Sequence, residues 1–178
     1  MRPGGVMDRP LEVLIDADRI AARMPELGKT VRGWVPADQP VTVVGVLKGS
    51  FLFMADLVRC LDGDVECEFL GVSSYVGTKS SGAVQITQDL RIDVAHRHVV
   101  LVEDIVDTGL TLDYLIRTLS ARNPASLRVV ALLDKPSRRK VEVKVDLVGF
   151  EIPDLFVVGY GLDLDQKYRN LPYIGVFR

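Results

Sequence analysis

The sequence predicts an α/β domain built on a central parallel sheet, and three observations carry that prediction. Val41–Leu47 (VTVVGVL), Val99–Val102 (VVLV) and Ser126–Leu133 (SLRVVALL) are apolar, mostly β-branched runs, as strands buried on both faces require. The first two are each followed by a short polar loop and then by apolar residues at helical spacing. No internal repeat, low-complexity block or linker breaks a 178-residue chain, long enough to bury about two-thirds of its unfolded surface. Residues 11–178 are therefore expected to form one domain. Residues 1–10 (MRPGGVMDRP), with two glycines and two prolines, are expected to be a flexible tail.

Taken in order, Asp16 or Asp18 can cap a helix carrying Ile20, Met24, Leu27 and Val31, which Pro25 is expected to kink or divide. Gly28-Lys29-Thr30 imitates the end of a P-loop, but Arg23 stands where the earlier glycine is needed. After Val41–Leu47, Lys48-Gly49-Ser50 leads into an apolar helix over Phe51–Leu61. That loop offers a cation, a flexible glycine and a serine cap, which suit a phosphate or pyrophosphate. Val65–Tyr75 reads as a strand, Gly77–Gly82 as the polar tip of a hairpin and Ala83–Thr87 as the return strand. Cys60 and Cys67 are too few and too far apart for a zinc site or redox pair, and are expected to be reduced, structural thiols. His96 and His98 have no further His or Cys to complete a metal site and read as surface residues beside Arg97.

The central stretch is Val99–Thr111, VVLVEDIVDTGLT. Its apolar run stops at Glu103 and Asp104, with Asp107 just beyond, so three carboxylates fall within five positions and no Lys or Arg lies in the segment. Their repulsion calls for an external partner, and a hard cation or a row of sugar hydroxyls would serve. Asp107-Thr108-Gly109-Leu110-Thr111 supplies capping side chains, hydroxyls and a glycine that permits close approach, and Leu112, Leu115, Ile116 and Leu119 continue as a helix. Unpaired N–H groups and the positive helix end then face whatever fills the loop. Acids for a diol or metal beside a phosphate cradle point to a ribose 5-phosphate, held outside the carboxyl end of a parallel strand.

Ser126–Leu133 ends at Asp134-Lys135-Pro136, and Ser137-Arg-Arg-Lys140 is a short basic run expected to be a solvated loop. Val145–Phe150 and Phe156–Tyr160 are strand-like. Gly159-Tyr-Gly161 is not a dinucleotide fingerprint, because Leu164 holds the third glycine position. The chain closes with Asp163, Arg169 and a hydrophobic tail, Ile174–Phe177. With 48% apolar and 26% charged residues and a net charge of −2, composition gives no support for nucleic-acid or membrane binding. No apolar run approaches the ~20 residues that span a bilayer, and the N-terminus lacks a signal-peptide core, so a cytoplasmic location is expected.

The stretch VEDIVDTGLT is similar to the phosphoribosyl-diphosphate signature of the purine phosphoribosyltransferases in its hypoxanthine-guanine form, and Leu47-Lys48-Gly49-Ser50 resembles the family's pyrophosphate loop. The resemblance extends from about Val41 to Arg169. It implies a type I phosphoribosyltransferase fold: a central parallel sheet flanked by helices, a small hood built from terminal segments, and a mobile hairpin lid beginning at Ser74 and Tyr75 that excludes water. A non-proline cis peptide between Leu47 and Lys48 is implied too. So are site roles. Glu103 and Asp104 would hold ribose hydroxyls and Mg²⁺, with Asp163 near the purine 2-position and a second metal. Asp107, Thr108, Gly109, Leu110 and Thr111 would hold the 5-phosphate, and Lys48, Gly49 and Arg169 the pyrophosphate. Asp107 would be the catalytic base. Lys135 would donate to the purine 6-oxo group, Phe156 would stack on the base, and Val157 would offer backbone contacts.

The implied activity is Mg²⁺-dependent transfer of ribose 5-phosphate from phosphoribosyl diphosphate to hypoxanthine or guanine, giving IMP or GMP plus pyrophosphate. This is purine salvage by a homo-oligomer, dimer or tetramer. Two alternatives stand beside it. One is a xanthine-preferring transferase. The other is an RNA-binding regulator on the same fold, whose basic face would have to be Ser137–Lys140.

Overall fold

Six strands form the central sheet of the computed structural model, which describes residues 10–74 and 84–178. In chain order the elements are β1 (Leu11–Ile15), α1 (Ala17–Arg32), β2 (Val41–Leu47), α2 (Phe51–Val58), β3 (Val65–Ser74), β4 (Val84–Gln88), β5 (His98–Val106), α3 (Leu110–Ser120), β6 (Ser126–Asp134), β7 (Leu147–Glu151), β8 (Val157–Val158) and β9 (Ile174–Phe177). A single turn of 3₁₀ helix covers Pro136–Arg138. The strand order is β4-β3-β2-β5-β6-β7, parallel throughout except that β4 returns antiparallel to β3.

The unbroken apolar runs lie where they must, in the middle of the sheet. Alternate residues of β5 supply two cores: Val100 and Val102 pack with Ile20, Leu27, Phe53 and Leu57 of α1 and α2, while Val99 and Leu101 pack with Leu112, Leu115 and Leu119 of α3. The register pairs Gly45 of β2 with Val102 of β5, and Val106 of β5 with Asp134 of β6. The carboxyl ends of β2, β5 and β6 thus share one edge, where the polar loops of the sequence are gathered.

Above that edge sits a second, three-stranded antiparallel sheet, β1-β9-β8, the hood expected of terminal segments. The hydrophobic tail Ile174–Phe177 is its middle strand, and Leu11–Ile15 pairs along it. The strand-like run Phe156–Tyr160 shrinks to Val157–Val158, because Gly159, Tyr160 and Gly161 take positive φ values of 98°, 48° and 99° and turn the chain away. Tyr160 is held there by its hydroxyl, which donates to Asp56 of α2 at 2.5 Å.

Pro25 does not divide its helix. The α1 helix runs unbroken through it, capped by the Asp16 side chain, which accepts from Arg19 N at 2.8 Å. A proline removes one helical donor, and burial of Met24, Leu27 and Val31 on either side holds the helix across that gap. Both cysteines are free, but only the partly buried Cys60 packs against the core, and Cys67 is exposed. His98 is tied to Ser126 and Gln39 at 2.8 Å each, and His96 is exposed. Tyr75 and the expected hairpin tip lie outside the described residues; β3 reaches Ser74, which pairs with Val84.

Candidate active site

A cavity of about 290 Å³ opens at the carboxyl ends of β2 and β5. Its floor is acidic. Glu103, the sixth residue of β5, is 5% exposed, and burial first and the neighbouring charge of Asp104 second push its carboxyl well above the usual range. Asp104 is pushed up to about 6, chiefly by burial. Its bond from Ile105 N at 2.8 Å and the charge of Arg169 act in the opposite direction. Two acids whose charged forms the fold disfavours need a cation or donors from outside.

Beyond them the chain leaves β5 and enters α3 through Asp107, Thr108 and Gly109, with Gly109 at φ 84°. Thr108, Gly109 and Thr111 line the cavity, and the first turn of α3 brings its unpaired N–H groups to it. The side chain of Leu110 is 41% exposed and is not part of the lining, so only its backbone belongs to this loop.

The opposite wall is Lys48-Gly49, reached through a cis peptide between Leu47 and Lys48. Gly161, from the hood, is packed onto it so closely that a Cβ there would lie 2.0 Å from the Gly49 carbonyl oxygen. Arg169 closes this side. It donates through Nη1 to Gly161 O at 2.7 Å and pairs through Nη2 with Asp163 at 2.7 Å, while its buried Nε has no partner among the described residues. Gln166 accepts from both Lys48 Nζ (3.3 Å) and Arg169 Nη2 (3.4 Å), and nothing in its sequence context marks it as a member of the site. Asp163 is turned to Arg169 and to Gln166 N (2.8 Å). It does not join Glu103 and Asp104 in a three-acid cluster, and no such metal-binding group of His, Cys, Asp or Glu occurs among the described residues.

Asp107 is 39% exposed and sits at the mouth. The basic run Ser137–Lys140 is largely exposed, as expected of a solvated loop, yet its arginines also reach back to the site. Arg138 Nε donates to Asp107 Oδ1 at 3.1 Å, and Arg139 Nη1 donates to the carbonyls of Val106 (3.0 Å) and Asp107 (2.6 Å) while its other nitrogen pairs with Asp134. Lys140 N donates to Thr108 O at 2.9 Å. The reason is local: the 3₁₀ turn after Pro136 reverses the chain beside β5, where acids and strand-end carbonyls lack donors. Arg139 is mostly buried by these bonds, while Arg138 and Lys140 stay exposed.

Lys135 leaves β6 next to Asp107, its N–H donating to Val106 O at 3.0 Å. It is 6% exposed, and its ammonium has no partner among the described residues. Phe156 is 58% exposed, which removes it from the core, whereas Val157 is buried in β8. None of these three lines the cavity itself.

A family model described as the phosphoribosyl transferase domain matches residues 27–165. The hypoxanthine phosphoribosyltransferase of Haemophilus influenzae is 51% identical over 168 residues, covering 93% of this chain and 94% of that one. The hypoxanthine-guanine phosphoribosyltransferase of Bacillus subtilis is 48% identical over 168 residues, covering 94% and 93%. A crystal structure of a hypoxanthine-guanine phosphoribosyltransferase from Bacillus anthracis superposes with a TM-score of 0.89 at 40% identity, over 94% of this chain and 98% of that one.

Proposed function

This chain belongs to the phosphoribosyltransferase family, and we propose that it is a purine salvage enzyme transferring ribose 5-phosphate from phosphoribosyl diphosphate to hypoxanthine or guanine. The observation that carries this reading is the cavity itself. It sets two acids, the buried Glu103 and the half-buried Asp104, against a phosphate-type loop on one side and Lys48-Gly49 with Arg169 on the other. A sugar bearing one phosphate and one diphosphate matches that order of groups.

Glu103 and Asp104 accept from the ribose hydroxyls, and the backbone of the loop from Asp107 to Thr111 donates to the 5-phosphate. Lys48, Gly49 and the orphaned Nε of Arg169 receive the pyrophosphate, and the two cations offset the charge that grows on it as the C–O bond breaks. The sugar carbon gains oxocarbenium character and the purine nitrogen attacks it. Asp107 takes the proton that this nitrogen gives up, in the role of general base. Lys135 donates to the 6-oxo group. Adenine carries an amino donor there and would leave the ammonium unpaired, a mismatch that buried sites reject strongly. Phe156, already exposed and unburdened by packing, stacks on the base, and Val157 offers backbone contacts.

The donor set fits Mg²⁺, which takes one or two carboxylates and completes its shell with water and phosphate oxygens; Glu103 and Asp104 would hold it, with Asp163 nearby on the Arg169 side. When bound, the ion neutralises pyrophosphate charge. Residues 11–178 act as one domain, and the enzyme works in the cytoplasm as a homo-oligomer, a dimer or tetramer. The test is pyrophosphate release from phosphoribosyl diphosphate and Mg²⁺ with hypoxanthine, guanine, xanthine and adenine in parallel. Turnover of the first two, abolished by Asp107→Ala, is the expected result. Silence with all four would end this reading.

A further inference from the structure

Only one oxygen of Asp107 is engaged. Oδ1 accepts from Arg138 Nε at 3.1 Å, and Oδ2 has no partner among the described residues. The same guanidinium reaches Asp154 Oδ2 through Nη1 at 3.5 Å, two residues before the exposed Phe156. Arg138 therefore joins the loop after β5, which bears the proposed base, to the loop before β8, which bears the proposed stacking ring. We propose that Arg138 is the positioning residue of the purine step: it orients Asp107 so that Oδ2 faces the incoming base, and it fixes the spacing between that carboxylate and the Phe156 loop. This rests on the phosphoribosyl-transfer reading above and extends it to a residue that neither contacts the sugar diphosphate nor lines its cavity.

A half-exposed carboxylate on a free side chain spreads its lone pairs over several rotamers, and a general base needs one of them. Here the backbone of Asp107 is already pinned by Arg139, so a single charge-assisted bond from a planar guanidinium is enough to select the side-chain rotamer. Base, orienting group and vacant acceptor form the arrangement that an activated base requires. In the reaction the purine N–H proton passes to Oδ2 as the carbon–nitrogen bond forms and pyrophosphate leaves. Arg138 keeps its own protons and touches none of the reacting atoms.

The experiment is a set of variants, Arg138→Gln, Arg138→Lys and Asp154→Asn, each made in the native chain and in Asp107→Asn, and followed with radiolabelled hypoxanthine so that slow variants remain measurable. In the native background Arg138→Gln lowers kcat/KM for hypoxanthine by roughly tenfold, the size of one charge-assisted bond, while KM for phosphoribosyl diphosphate stays within about twofold. Arg138→Lys restores part of the loss. Asp154→Asn gives a smaller loss of the same kind. With Asp107→Asn already present, Arg138→Gln costs less than about twofold more, because residues acting as one unit are non-additive. Equal losses in both backgrounds, or a matching rise in KM for the sugar diphosphate, would overturn the role of Arg138 and leave the salvage reading intact. An inactive native chain would overturn both, and that outcome is visible before any variant is compared.

Discussion

A methyl carbon on residue 49 would lie 1.4 Å from Oδ2 of Asp104. The backbone of the Lys48-Gly49 loop and the acid of β5 are thus in direct contact, and no side chain fits between them. Gly49→Ala must push Asp104 aside or open the loop. Displacement of catalytic groups by about 1 Å costs on the order of a hundredfold, so kcat/KM for phosphoribosyl diphosphate is expected to fall by at least that much with the circular-dichroism spectrum unchanged. Activity within a few-fold of native would contradict the contact.

The acids of the cavity floor set a pH dependence. Asp104 titrates near 6 in the fold against 3.8 ordinarily, and Glu103 is raised as well, so the native state holds more protons than the unfolded chain between those values. Stability therefore falls as pH rises from about 4 through about 6, and the cost persists above that window. A shift of this size, discounted for partial solvent contact, is worth about 1–2 kcal/mol. In magnesium-free buffer Asp104→Asn should melt roughly 3–6 °C above the native chain at pH 8, with the gap closing towards pH 4. A gap independent of pH would remove burial as its cause.

Phe156 supports no core. Replacing it by Ala should leave the melting temperature within about 2 °C of native, because a ring that is 58% exposed loses little burial. The Michaelis constant for hypoxanthine should nonetheless rise roughly tenfold, the worth of one stacked base. Calorimetric melting and initial rates on the same preparation separate the two effects.

Arg139 is the opposite case. It bonds the carbonyls of Val106 and Asp107 and pairs with Asp134, whose side chain is 11% exposed. Arg139→Ala leaves that charge without its partner, at a cost of about 3 kcal/mol. A drop of about 6–12 °C in melting temperature is expected, together with loss of activity.

Lys135 is expected to govern base choice. Lys135→Gln can present an acceptor as well as a donor, so the preference for hypoxanthine over adenine should narrow by about a hundredfold, mostly through lost hypoxanthine turnover. Competition between the two labelled bases measures the ratio. An unchanged ratio would assign discrimination elsewhere.

The sheet and the anion loops were legible because their signals are local: unalternated β-branched runs for β2, β5 and β6, and acids, glycine and hydroxyls immediately behind them. The hood was harder. Leu11–Ile15 is not patterned enough to announce a strand, and the strand-like run Phe156–Tyr160 keeps only Val157–Val158; both pair with Ile174–Phe177, which β1 meets from the far end of the chain. Arg138, Arg139 and Gln166 were missed for a related cause. Charged and amide side chains of this kind are usually solvated, and only the return of the chain after Pro136, or the turn through the positive φ values of Asp165 and Gln166, aims them at the site.

The pairing of β1 with β9 also brings the two ends of the described chain together: Leu11 lies opposite Phe177, and Arg178 N donates to Pro10 O at 3.4 Å. Sequence order is therefore nearly arbitrary for this architecture. A circular permutant that closes residues 178 and 10 through a short linker, and opens instead in the turn at residues 121–125, would keep every strand pairing of both sheets. Start and finish would move to the edge opposite the cavity, because that turn leads into the amino end of β6. The hood would then be fastened at both ends, and a fused reporter or surface anchor would hang from the face that substrates do not approach.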